Sequence, residues 1–380
     1  MRHSLPCLVL FAALPAQTFV VDAAGGPGTH FTDIGTAVGA VPDGSLLLVR
    51  AGQYASFAIS GKSLTILGEL GVSMLGPTSS VTISSLGVGQ RVAIHQLSST
   101  LPSGGLTTVT CQGCAGEILL DHVRGGAFSE LRLVAAQCAQ VVLTHCILSS
   151  NPTAASLTAS DVTLVDCSVA SGHNTNPTAP LLQQPGLVQV GGRVQLTNCM
   201  VSATGSLFAA TPAAVSMQGG SLRCDGATAL HADFGFPALF GRAIDGVGTV
   251  RLDPSVVLAG AVPPIGPAIA ATTVDLPALS VTGGTIGGAT NAAMTGASGQ
   301  LGVLWIGLPV PAVALPGSGD PLAVWNGLVL AAGVFGPSLT ASVNVPSLPG
   351  LVGQAFGWQG LTFDAGGVLQ LTNAYPFLLQ

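Results

Sequence analysis

Three nine-residue segments of this chain are nearly the same: QVVLTHCIL from Gln140, DVTLVDCSV from Asp161 and RVQLTNCMV from Arg193. Each alternates apolar and variable positions and then places a cysteine, as in Val162-x-Leu164-x-x-Cys167, Val194-x-Leu196-x-x-Cys199 and Val142 with Cys146. Related segments begin at Val92 and Ile118, and looser ones at Leu222 and Val250. Successive starts lie roughly 20 to 32 residues apart, the length of one coil of a β-solenoid. A second strand per coil is visible in VTISSL from Val81, TVTCQGC from Thr108, LVQVGG from Leu187 and AVSMQGG from Ala214. Period-two alternation sends Val, Leu and Cys inward in every coil, and each coil buries its edge on the next. Few other architectures accept such a pattern.

Composition agrees with a stack of this kind and excludes several functions. Lys+Arg is 10 and Asp+Glu is 16, so 7% of the 380 residues are charged, against about 25% in an ordinary soluble domain. Only one lysine occurs, Lys62. So few basic groups cannot track a phosphate backbone, which excludes nucleic acid as a partner. A chain poor in Lys and Glu, with 52 glycines and 25 prolines, does not build helical bundles. Tight turns use Gly, Pro, Ser and Thr, and the outer surface is left with Thr, Ser, Gln and Asn, which fits a neutral ligand better than a charged one.

Residues 1–17 have a basic start at Arg2 and His3, an apolar stretch from Leu5 to Leu14, and small residues near Ala16. This pattern predicts a signal peptide and an exported protein, secreted or at the cell surface. The most apolar later stretch, Val256 to Ala271, is broken by Pro263, Pro264, Gly266 and Pro267, so no membrane span is expected. Beyond Cys7 there are seven cysteines. Cys111 and Cys114 form a lone CxxC with no second pair, so no metal or other cofactor is expected. Cys146, Cys167 and Cys199 should stack inside the coils as small apolar residues, reduced rather than bridged.

Phe19 to Glu69, FVVDAAGGPGTHFTDIGTAVGAVPDGSLLLVRAGQYASFAISGKSLTILGE, resembles the opening of the pectin-lyase-like right-handed parallel β-helix superfamily, and in particular its pectin methylesterase-type members. The matching features are a VVDxxGG strand, an FTxIxxAV helix, VPDG, a VRAGxY strand and a run like ISGKSLTILGE. The resemblance implies an all-β right-handed parallel β-helix with a short N-terminal capping helix, on which Phe31, Ile34, Val38 and Val41 would share a face. It also implies acidic-polysaccharide chemistry carried by motifs like GTVDFIFG, QAVAL and LGRPW. Neither QAVAL nor a counterpart of LGRPW occurs here. From about Met294 the coil repeats stop and Trp305, Trp325 and Trp358 appear among short apolar strands. This block predicts a small β-sandwich, similar to a C-terminal module recurrent in exported bacterial proteins. The expected organisation is a signal peptide over 1–17, the β-helix over 18–290 and the sandwich over 291–380.

Chemistry could sit in three places. HADFGFPALFGR, from His231 to Arg242, partly echoes the family's aspartate motif, which makes Asp233, Arg242 and His231 the catalytic candidates; an ordinary expanded loop is the competing account. One aligned column precedes the cysteines: Gln96, His122, His145, Asp166 and Asn198. Facing solvent, His122, His145, Asp166 and Asn198 would form a ligand-binding stripe; otherwise they are turn residues stacked for structure. The insertion after Ser171 carries His173 and Asn174, hydrogen-bonding groups suited to a neutral sugar on a loop. The sequence therefore points to an exported, non-catalytic β-helix protein that binds a polysaccharide or cell-surface glycan or serves as a structural protein. The alternative is a diverged polysaccharide-active enzyme of esterase or lyase type.

Overall fold

The computed structural model describes residues 16–380, apart from 77, 100–104, 126–128, 152, 172–183, 205–210, 235–239, 316–319, 337 and 364–366. Residues 1–15 of the expected signal peptide and the loop residues His173 and Asn174 lie outside the described residues. The protein is all-β. One 24-stranded sheet, almost entirely parallel, runs from Thr18–Val21 to Ile269–Thr273, and two smaller antiparallel sheets follow.

The register shows what the repeat encodes. Leu47, Ile66, Ile94, Leu120, Leu143, Leu164, Leu196, Cys224 and Leu252 are successive Cα partners in one parallel ladder. Their sequence offsets run from 19 (47 to 66) to 32 (164 to 196). All nine are buried in one continuous core. Each fully buried leucine contributes roughly 1.5–3 kcal/mol, so the ladder is a major source of stability. Val142 pairs out of this column: Val141 and Leu143 point into the core, and Val142 faces outward. A second ladder stacks Ile59, Ile83, Cys111, Ala135 and Leu157, all buried. Helix Ile34–Ala40 begins at Asp33, whose side chain accepts from the Thr36 N–H, and it buries Ile34, Ala37 and Val38.

In six of the nine strands of the first ladder, the residue two positions after the ladder position is left-handed. Gln96, His122, His145, Asp166 and Asn198 have φ between 53° and 58°, and Gly226 continues the column at 60°. This region costs an ordinary L-residue roughly 1–2 kcal/mol, and Asn, Asp and His occupy it more readily than most. The polar column therefore has a backbone cause. A matching column closes the second ladder through Ser85, Gln137 and Ala159. The kink turns the next residue inward, which is why Cys146, Cys167 and Cys199 sit buried directly after it. These three are free thiols, and the Cys146 N–H donates to the Cys167 Sγ at 3.4 Å.

Pairing turns antiparallel at Ala278–Gly283, ahead of the expected boundary at 291. ALSVTG alternates like a ladder strand, so its sequence does not reveal the change. Ala278–Gly283, Ala289–Thr295 and Leu339–Asn344 form one sheet. Leu301–Ala314, Pro321–Val334, Ala355–Phe363, Leu369–Leu371 and Tyr375–Leu378 form the other. The C-terminal strands pack on the outward face of the first ladder. Leu46, Leu67, Ala93, Leu119 and Val142 meet Ala355 and Leu378, and Val165 joins Leu279, Trp358 and Phe377. No helix among the described residues is long and apolar enough to cross a membrane.

Candidate functional site

Because side chains alternate along a strand, the outward residue just before each left-handed turn also forms a column: His95, Asp121, Thr144, Val165 and Thr197. Asp121 sits at the centre of a group of ionisable side chains. His95 Nδ1 lies 2.7 Å from its Oδ2, while His122 Nδ1 and His145 Nδ1 lie 2.8 and 3.2 Å from its Oδ1. The Thr144 hydroxyl donates to the same Oδ1 at 2.8 Å. Burial pushes the Asp121 carboxyl up, but the hydrogen bonds from His122, His145 and His95 outweigh it and hold the group well below the usual carboxylate range. The same contact raises His145 above its ordinary value, against a smaller opposing effect of burial. Asp166 is raised by burial, with the Asn198 hydrogen bond opposing.

This cluster is roofed by the chain's own C-terminus. The Tyr375 hydroxyl lies 3.0 Å from His145 Nε2 and donates to Asp166 Oδ2 at 3.3 Å. The Gln380 side-chain amide reaches His95 Nδ1 at 3.2 Å. Of the ligand candidates, the structure brings His145 and Asp166 to Tyr375, and the His122 ring lies 4.6 Å from that of His145. Asn198 accepts from the Ala227 N–H at 2.9 Å, a turn-closing role. His95 and Asp121 were not singled out in the sequence. Their signal is a second polar position immediately before the turn, in HQ at 95–96 and DH at 121–122.

Two further polar groups anchor the same C-terminal strands. Arg91 Nη2 donates to the Pro309 carbonyl at 2.9 Å and its Nε pairs with Glu117 at 2.5 Å. Arg223, 5% exposed, pairs with Asp225 and with Asp320, each at 2.6 Å, and donates to the carbonyls of Leu371 and Pro277. Beside the first group, Gln140, Asp161, Arg193, Pro321 and Thr372 line a cavity of about 30 Å³. That volume suits about one water and is too small for a sugar ring.

The catalytic candidates belong to strand Ala229–Phe234 and to the residues just before strand Ile244–Leu252. Arg242 pairs with Asp245 at 3.0 Å on the surface. His231 is half-buried in strand Ala229–Phe234; Asp233 belongs to the same strand, but its side chain lies outside the described residues.

The outward face of the second ladder stays open. One row across it is Thr82, Thr110, Val134, Ser156, Val188 and Ser216; the next is Ser84, Gln112, Ala136, Thr158 and Val190, followed by Gln218, whose carbonyl accepts from the Gly191 N–H at 3.2 Å. All twelve are half-buried or exposed, eight are Ser, Thr or Gln, and none is charged. Adjacent strands set these side chains about 4.8 Å apart.

No protein-family model matches this chain, and no curated protein matches it.

Proposed function

We propose that this chain is an exported right-handed parallel β-helix protein of the pectin-lyase-like type, closed on one side by a C-terminal β-sandwich, and that it acts without catalysis as a carbohydrate-binding or cell-surface structural protein. The observation that carries this is the contrast between its two outward faces. On the first ladder, Arg91 and Arg223 hold the C-terminal strands and Asp121 is ringed by His95, His122, His145 and Thr144, so their charges are not presented to a substrate. On the second, twelve uncharged positions form a flat surface of hydroxyls, amides and small apolar groups. Hydroxyls and amides on a flat sheet match the neutral hydrogen-bonding edge of a polysaccharide, with Val134 and Val188 offering apolar contact to the sugar ring.

The test is a glycan array of neutral and acidic polysaccharides probed with the purified full chain, run beside assays of pectin de-esterification and uronate cleavage. Retention on neutral glycans without turnover is expected. Turnover of pectin that is lost in Asp233→Ala would replace this proposal with the enzyme alternative.

A further inference from the structure

No metal is expected from the sequence, but the packing creates a donor set for one. The ligand atoms of His95, Asp121 and His122 all lie within 4.8 Å of one another. His145 Nδ1 adds a fourth donor, 3.2 Å from Asp121 Oδ1. We propose that His95, Asp121, His122 and His145 bind one divalent cation of the zinc class at the seam between the first ladder and the C-terminal strand.

The chemistry follows from the geometry. Three imidazole nitrogens face one carboxylate, so without a cation each nitrogen must present a proton to it. A cation on the Nδ1 lone pairs takes over that role, and each imidazole then carries its proton on Nε2 instead. For His145 that proton points at the Tyr375 oxygen 3.0 Å away, the outer hydrogen bond that metal-bound histidines characteristically make. Three nitrogens and one carboxylate oxygen suit zinc, cobalt or copper better than calcium or magnesium, which prefer all-oxygen shells. The side chains of His95 and Asp121 are 10% and 8% exposed, whereas that of His122 is 31% exposed and provides a route of entry. Gln380, which shares His95 Nδ1, turns aside when the cation binds. The donors come from strands 95, 121 and 145, so the cation ties three successive rungs together. This site is independent of the open hydroxyl face and of any sugar bound there.

The experiment is a titration of the chelator-stripped full chain with Co²⁺, followed by visible absorption and by competition with Zn²⁺. One equivalent should give four-coordinate cobalt bands without a thiolate charge-transfer band. His122→Ala should weaken binding by at least about tenfold, and His145→Gln, at the most exposed ligand, should do the same. Cys114→Ser should leave binding within about twofold, which separates the site from the seven buried thiols. Absence of cobalt bands in the wild type, unchanged affinity in both histidine variants, or loss in Cys114→Ser would overturn the proposal.

Discussion

The hydroxyl of Tyr375 lies 3.0 Å from Nε2 of His145, a residue 230 positions earlier in the chain. It spans from that imidazole to the Asp166 carboxylate and so ties the last strand to two turns of the first ladder. Tyr375→Phe keeps the ring packing and removes only these bonds. The expected cost is about 1 kcal/mol in denaturant unfolding, with faster hydrogen exchange confined to the 375–379 segment. Unchanged exchange there would mean that the hydroxyl does not hold the strand.

Arg223 should matter far more than its neighbour Arg251. Arg223 is buried between Asp225 and Asp320, and its removal leaves Asp225 buried without a cation and Asp320 with Arg251 alone. Arg223→Met should therefore destabilise the protein by about 3–5 kcal/mol. Arg251 also pairs with Asp320, but its side chain is 31% exposed, and Arg251→Ala should cost less than about 1 kcal/mol. Equal effects of the two changes in urea unfolding would contradict this account of the seam.

The left-handed column gives a sharper backbone test. Asn198 sits at φ 53° and closes its turn onto the Ala227 N–H. Asn198→Gly loses the side-chain bond but keeps an allowed backbone. Asn198→Val forces a β-branched residue into the same region and should cost about 1–2 kcal/mol more than the glycine variant. Equal unfolding midpoints for the two would remove the backbone explanation of the column.

At the N-terminus, Asp22 accepts from the N–H groups of Ala24 and Gly26 and pairs with Arg50 at 3.0 Å. The Ala24 hydrogen bond first, and then Arg50, hold its carboxyl below the ordinary range. A depressed folded value means that its contribution is complete above the unfolded value of about 3.9 and fades as pH falls through the folded one. The stability gap between wild type and Asp22→Asn should stay constant from about pH 7 to pH 5 and close in more acid solution. A gap that widens on acidification would reverse the sign.

Much of the parallel body could be read from sequence because its information is local and repeated. Val162, Leu164 and Cys167 state the inward positions of one rung, and the next rung states them again. The turn column was visible for the same reason, although its surroundings were not. Nothing near His145 announces that Tyr375 will cover it, since that contact depends on how the antiparallel strands pack across the first ladder. Asp121 is not legible in the turn column, because the carboxylate that gathers the histidines stands one residue before it. The apolarity of Val142 suggests an inward position, yet it is apolar because Ala355 and Leu378 cover it from outside.

The most direct test of the proposed role is co-sedimentation of the full chain with insoluble neutral polysaccharides, comparing wild type with Thr110→Glu/Thr158→Glu. Both positions lie on the open face, where a carboxylate need not disturb the core. The account predicts that the wild type sediments with at least one such polysaccharide, that the double variant stays in solution, and that no soluble sugar is released. Equal sedimentation of the two proteins, or release of soluble product by the wild type, would contradict it.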